Sequence, residues 1–412
     1  MAHAEVMAPA GSYESLIAAI KAKADSIYFG VSKLNMRARS GSFGFKDIEK
    51  VAAICMENNV KAYLALNTIM YDDDLELMRK ICGKAKESKI DAIIASDIAA
   101  MEYARSIGLE VHTSTQLNIS NIEAVRFFSK YADAMVLARE LSLRQIKNIC
   151  GKIKSERING PSGNPVKIEV FCHGALCVAI SGICYMSLAT YNSSANRGSC
   201  LQNCRRAYRV IDEETGDELA LDNKYVMSPS DLCTIGFLDK IIDAGVSILK
   251  IEGRAKPPEY VYAAAKAYKE AAESIENNSY TKEKISQWIK ELEKVYNRGF
   301  WHGGYYFRKK LGQWSNAYGS KATTEKAYLG KVLNYFSNAN AAEILLEAGA
   351  LSQDDNVIIT GPTTGIIQTK AESIFKDGSK VSKAEKCAIT LKIPEKARKN
   401  DKVFVVRPII KT

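Results

Sequence analysis

Five cysteines, Cys172, Cys177, Cys184, Cys200 and Cys204, fall within 33 residues, and a sixth, Cys233, follows. Thiolates are soft ligands, and four of them hold either zinc or a 4Fe-4S cluster. Zinc sites of the ribbon type use paired CxxC spacings, and this chain contains no CxxC, so the spacing favours an iron-sulfur cluster. Spacing leaves the choice of four open. Cys177, Cys184, Cys200 and Cys233 form a provisional set, Cys204 is its substitute, and Cys172 suits the end of a strand as a small buried hydrophobe. Cys55, Cys82, Cys150 and Cys387 stand singly and read as core filler.

The chain has no apolar run of about 18 residues and no charged-then-apolar leader. A cytoplasmic protein with reduced thiols and no membrane contact is therefore expected, and there clustered cysteines serve metals or catalysis rather than disulfides. Its 412 residues, 47% hydrophobic and 25% charged, are ordinary globular composition and enough for two domains. A net charge of +10 favours an anionic partner such as nucleic acid, a phosphorylated metabolite or a polycarboxylate.

The elements that must carry these cysteines repeat regularly. Short β-branched runs alternate with amphipathic stretches, the pattern of βα units around a parallel sheet. Eight strands are expected: 5–8, 26–29, 61–66, 92–96, 110–113, 134–138, 167–171 and 247–251. Ser12 is placed to cap a helix over 13–24 and Asp47 to cap the next, where Ile48, Val51, Ala52 and Cys55 share a face. The fold class is α/β, a TIM-type (β/α)8 barrel whose functional groups project from the C-terminal strand ends. Those ends carry Tyr28, Asn67, His112, Gln116, Arg139, His173, Glu252 and Arg254, a polar ring suited to a small anionic or carbonyl-bearing ligand. His112, His173 and Glu252 are the candidate catalytic groups, with the two histidines placed to move protons.

The pattern breaks between Phe171 and Ser247, where a long insertion holds the clustered cysteines; inserted βα loops usually carry function. Helices over 259–275 and 282–296 follow the last barrel strand. From Ala327 short alternating strands predict a small C-terminal β-barrel. The expected division is a barrel domain over 1–307 with a cysteine-rich insertion at about 172–233, a linker over 308–326, and the β-barrel over 327–412.

The run Glu169-Val170-Phe171-Cys172-His173-Gly174-Ala175-Leu176-Cys177, then Ser181-Gly182-Ile183-Cys184-Tyr185-Met186-Ser187, closely resembles the signature of the peptidase U32 family, the collagenase-like proteins. The resemblance spans the chain. It takes in Met7-Ala8-Pro9-Ala10-Gly11, Tyr28-Phe29-Gly30, His112-Thr113-Ser114-Thr115-Gln116, Arg197-Gly198-Ser199-Cys200, Ser230-Asp231-Leu232-Cys233 and Lys250-Ile251-Glu252-Gly253-Arg254. It implies a choice between proteolysis and oxygen-independent hydroxylation of a tRNA wobble uridine, an rRNA cytidine or a quinone ring. It also implies a 4Fe-4S cluster on Cys177, Cys184, Cys200 and Cys233, and prephenate as co-substrate in the RNA branches. A C-terminal barrel at this chain length resembles the tRNA branch. Some members of the family work as pairs of homologues, so a homologous partner or a homo-oligomer is expected.

For a dicarboxylate such as prephenate, Arg254 and Arg139, with Arg37 or Arg39, are the candidate bidentate partners, beside Gln116, Asn67 and Tyr28. An anticodon-loop base is partly unpaired and costs little to present to a barrel mouth. Arg205, Arg206 and Arg209, with the basic segment around Lys396, Arg398 and Lys399, are candidates for its phosphates. A peptidase would need an activated nucleophile or metal-bound water. The sequence has neither HExxH nor GxSxG and only four histidines, which leaves Cys172 with His173 as the one nucleophile-base pair considered.

Overall fold

The computed structural model describes residues 3–38, 43–219, 225, 227–307, 314–317 and 319–409. Arg39 and part of the expected linker lie outside the described residues.

All eight expected strands form: β1 Glu5–Pro9, β2 Ser26–Gly30, β3 Lys61–Leu66, β4 Ala92–Ala95, β5 Glu110–Thr113, β6 Ala134–Val136, β7 Lys167–Gly174 and β8 Ile248–Ile251. They pair in parallel in sequence order, and β8 closes the ring between β7 and β1. Alternation within each strand divides the side chains between an outer layer under the helices and an interior that includes Met7, Tyr28, Tyr63, Ile94 and Ile248. The outer layer takes Cys55, Cys82 and Cys150 as buried apolar filler, and burial pushes each of these thiols up.

Ser12 caps the first helix, Tyr13–Lys21, by accepting from the Ser15 amide. Asp47 does not act as a cap, because Lys46 occupies that position. Its carboxylate instead accepts from the Gly44 amide and the Tyr13 hydroxyl, both at 2.7 Å, and so ties two helices together. Gly11 stands where the chain turns from β1 into that first helix. A Cβ there would fall onto the carbonyl oxygen of Arg254, a backbone atom that cannot rotate away. Gly11→Ala should therefore cost about 1–3 kcal/mol of stability, read as a lower thermal midpoint.

The insertion after β7 leaves and returns in one ladder. A short strand, Asp231–Cys233, runs antiparallel to the end of β7, pairing Leu232 with Gly174 and Cys233 with His173. Gly174 ends β7 at φ +103, with the Glu252 carbonyl too close to admit a Cβ. The register of β7 against β8 shifts between Lys250 and Ile251, next to this point.

The C-terminal region is an eight-stranded antiparallel sheet built on the long strand Thr324–Phe336. Its inward residues, among them Val332, Ile344, Ile359, Ile389 and Val403, form an apolar cluster of their own. The sheet rests on the barrel through Ile358 and Ile366 against Ala18, and through the Lys326–Glu259 ion pair at 2.6 Å. No helix among the described residues is long and apolar enough to cross a membrane.

Candidate functional site at the barrel mouth

The C-terminal strand ends and the insertion enclose a cavity of about 390 Å³. Its walls differ in chemistry. The barrel side presents Tyr28, Arg37, Asn67, Gln116, Arg139, Lys250, Glu252 and Arg254; the insertion side presents Cys177, Cys184, Cys200 and Cys204.

On the barrel side Glu252 is the hub. Its Oε1 accepts from Arg37 Nη2 at 2.9 Å and its Oε2 from the Tyr28 hydroxyl at 3.2 Å. Burial pushes this carboxyl up, but the Arg37 guanidinium, aided by Arg139 and Arg254, outweighs burial and holds it at about 2. Glu252 is thus an ionised acceptor at neutral pH, suited to orienting a ligand rather than to donating a proton. Arg254 is buried and donates to Asn35 Oδ1 at 3.0 Å. Asn67 Nδ2 donates to Ser114 Oγ at 2.9 Å and to Gln116 Oε1 at 3.3 Å. The Arg139 guanidinium carbon lies over the Phe171 ring, 4.0 Å from its centroid, and Arg139 donates to the Ala175 carbonyl at 3.3 Å.

The two histidines do not reach the cavity wall among the described residues. His112 lies on β5 two residues before Ser114, which stands just past the strand end, so the alternation sets His112 one layer deeper in the barrel. There it meets Glu110 at 3.2 Å and the Tyr63 ring at 4.5 Å. His173, displaced by the register shift, packs among the rings of Tyr260, Tyr268 and Phe300, and burial lowers it to about 3. A histidine neutral throughout the working pH range does not shuttle protons.

The cysteines also redistribute. Burial pushes up the Cys204 thiol, Arg205 opposes this, and the neighbouring Cys177, Cys200 and Cys184 raise it further, so the four sulfurs share one electrostatic environment. Cys233 stands apart. It is wholly buried, 3.9 Å from the Tyr268 hydroxyl and beside Cys172, and burial raises it to about 11. Cys204 therefore takes the position by the other three where Cys233 was expected. Among the described residues no group of three His, Cys, Asp or Glu side chains is arranged to hold a single ion. The four thiols instead line a common wall, an all-sulfur donor set that fits a multi-iron cluster better than one hard cation.

Arg205 is committed to the protein itself, donating to Ser228 Oγ at 3.1 Å and to the carbonyls of Pro229 and Leu176. It ties the insertion together and is not available to phosphates. Arg209 is exposed and paired with Glu218, and Arg206 lies over the Tyr191 ring. Lys396, Arg398 and Lys399 are exposed in the C-terminal region.

Lys256, not singled out in the sequence, also lines the cavity, with Nζ 3.0 Å from the centre of the Tyr296 ring. Burial, then the nearby Arg298, lowers its ammonium to about 7 from 10.5. Between those values the unfolded chain holds the extra proton, so stability rises with pH across that window. Lys256→Met should raise the thermal midpoint at pH 7 and lose that advantage as pH approaches 10.5.

The profile of peptidase family U32 matches residues 11–316. This chain belongs to peptidase family U32. Within the family its relatives carry two kinds of name. It is 54% identical over 402 residues to a collagenase of Porphyromonas gingivalis, covering 97% of both chains. It is 29% identical to tRNA hydroxylation protein P1 of Bacillus subtilis, over 92% of this chain and 89% of that one. It is 32% identical to a 23S rRNA 5-hydroxycytidine synthase of Escherichia coli, over 72% of this chain and 44% of the other.

Proposed function

We propose that this U32 protein is a cytoplasmic RNA hydroxylase that works without molecular oxygen, converts the tRNA wobble uridine to 5-hydroxyuridine, and uses prephenate as co-substrate. The observation that carries the reading is the two-sided cavity, with four thiols facing a barrel wall of Arg37, Arg139, Arg254 and Lys250. Cys177, Cys184, Cys200 and Cys204 would hold a 4Fe-4S cluster, which when bound supplies electron-transfer capacity next to the substrate. The barrel side holds the anionic co-substrate and keeps Glu252 ionised. The cavity mouth admits a base from a single-stranded loop, and the net charge of +10 favours its phosphates. RNA substrates in the names of two relatives point the same way.

A second reading, a collagenase-like peptidase, is favoured by the name of the 54% identical relative. The described residues offer it little chemistry. Cys172 is buried, its thiol is pushed well up by burial and bonded to the Lys250 carbonyl at 3.4 Å, and its neighbour His173 stays neutral. A cysteine nucleophile needs the opposite, a lowered pKa and access.

The test is to incubate anaerobically purified protein with unmodified tRNA, with and without prephenate, and to analyse the nucleosides by mass spectrometry. A 5-hydroxyuridine peak that needs both prephenate and protein is expected. Its absence, alongside cleavage of denatured collagen, would move the assignment to the peptidase. Product on an rRNA fragment alone would move it to the cytidine branch, and RNA binding without product would make the protein a non-catalytic binder. Adding a homologous partner chain tests for a required pair.

A further inference from the structure

Lys250 and Glu169 face the barrel interior from neighbouring strands, and the ammonium lies 2.6 Å from Glu169 Oε1. The side chains are 6% and 0% exposed. A buried pair of this kind contributes little net stability, because desolvation of both charges offsets their attraction. This one also has unspent capacity. Glu169 Oε2 has no hydrogen-bond partner among the described residues, and among them the Lys250 ammonium donates to Glu169 alone. The ammonium lies 4.7 Å from the centre of the Tyr28 ring and 5.6 Å from that of Phe171, and Lys250 lines the cavity.

Phe171 carries a second cation, Arg139, whose Nε is buried and likewise without a partner among the described residues. A guanidinium and an ammonium thus lie 4.0 and 5.6 Å from the centre of one aromatic ring and line the same cavity, the ammonium with N–H donors that Glu169 does not take. Of the other arginines that line the cavity, Arg37 pairs with Glu252, Arg298 with Asp231, Arg205 bonds the insertion and Arg254 bonds Asn35. We infer that Lys250 and Arg139, joined through Phe171, form a carboxylate-binding cradle at the cavity floor, in which Glu169 positions Lys250.

This rests on the hydroxylase reading above and refines it: one carboxylate of prephenate would sit on this cradle rather than on Arg254. Charged donors in a low-dielectric pocket bind a carboxylate strongly, and Glu169 fixes the ammonium while cancelling part of its field. Removing each member of the pair should therefore change affinity in opposite directions.

The test is calorimetric titration of the anaerobically purified protein with prephenate, thermal midpoints being recorded for every variant. Lys250→Met combined with Glu169→Gln removes both charges and leaves no buried ion unpaired; it should weaken prephenate by about tenfold or more at an unchanged fold. Glu169→Gln alone should tighten binding by about threefold and steepen its salt dependence, an effect that a purely structural pair would not produce. Equal affinity in wild type and double variant overturns the cradle and leaves the hydroxylase reading intact. If the double variant does not fold, Glu169→Gln decides, and unchanged or weaker binding there overturns the cradle. A wild type that does not bind prephenate overturns both.

Discussion

Cys204→Ala is expected to strip the protein of iron, whereas Cys233→Ala keeps it. The proposed cluster places about four irons and four sulfides per chain on the wild type and on the Cys233 variant, against near none for Cys204→Ala and Cys184→Ala. The geometry behind the difference is local. Cys204 shares its environment with Cys177, Cys184 and Cys200, while Cys233 lies wholly buried against Tyr268 and Cys172. Anaerobic purification followed by iron and acid-labile sulfide analysis and a visible spectrum would check this. Loss of iron from the Cys233 variant with retention in the Cys204 variant would restore the ligand set implied by resemblance. Stoichiometric zinc in the wild type would remove the cluster from the proposal altogether.

Arg37→Met should destabilise the protein by about 2 kcal/mol at pH 7, below the full cost of breaking a buried pair because the Arg37 side chain is 34% exposed. The pH dependence is more telling. In the wild type the Glu252 carboxyl is held at about 2, below its ordinary 4.5. The unfolded state then binds the extra proton between those values, so this group's stabilisation is complete above pH 4.5 and is lost as pH falls through 2. Without Arg37, burial dominates and the carboxyl rises, which reverses the slope. The gap in thermal midpoint between variant and wild type should be widest at pH 7 and narrow toward pH 3. A gap independent of pH would mean that Arg37 acts by packing alone.

The barrel was legible because each strand is a short β-branched run and each interval a helical stripe, and closure follows once eight such units are counted. In the C-terminal region the longer strands were legible, but Ile374–Lys376 and Ser379–Val381 at the sheet's edge, and Ala350–Ser352 and Lys383–Glu385, which pair apart from it, have three residues each and are too short to show a period. At the mouth, residues at or just past a strand end, such as Asn67, Gln116, Arg139, Glu252 and Arg254, line the cavity. His112 does not, because the pleat sets it a layer below Ser114. His173 does not, because of a register shift that one strand's sequence cannot announce. Choosing between Cys204 and Cys233 required the path of the insertion in space. The Lys250–Glu169 pair did leave a signal. Each is a charge with an apolar residue on either side within a strand, and closure makes β7 and β8 neighbours, so pairing the two strands on paper would have brought the charges together.

The antiparallel return of Asp231–Cys233 onto the end of β7 has a bearing on how the molecule is assembled. The Thr234 amide and hydroxyl both bond the Cys172 carbonyl, at 3.1 and 2.9 Å, so the insertion is pinched shut at its base by the barrel's own ladder. Its loop-closure entropy is met when the strands pair, whatever the state of the loop beyond. The barrel can thus close around an unordered insertion, and the cysteine segment can open and re-close as a separate cooperative unit. If the proposed cluster is bound, protein made before iron is available would wait as a finished barrel with an unfinished wall, a state that hydrogen exchange would register as protected strands beside an unprotected insertion.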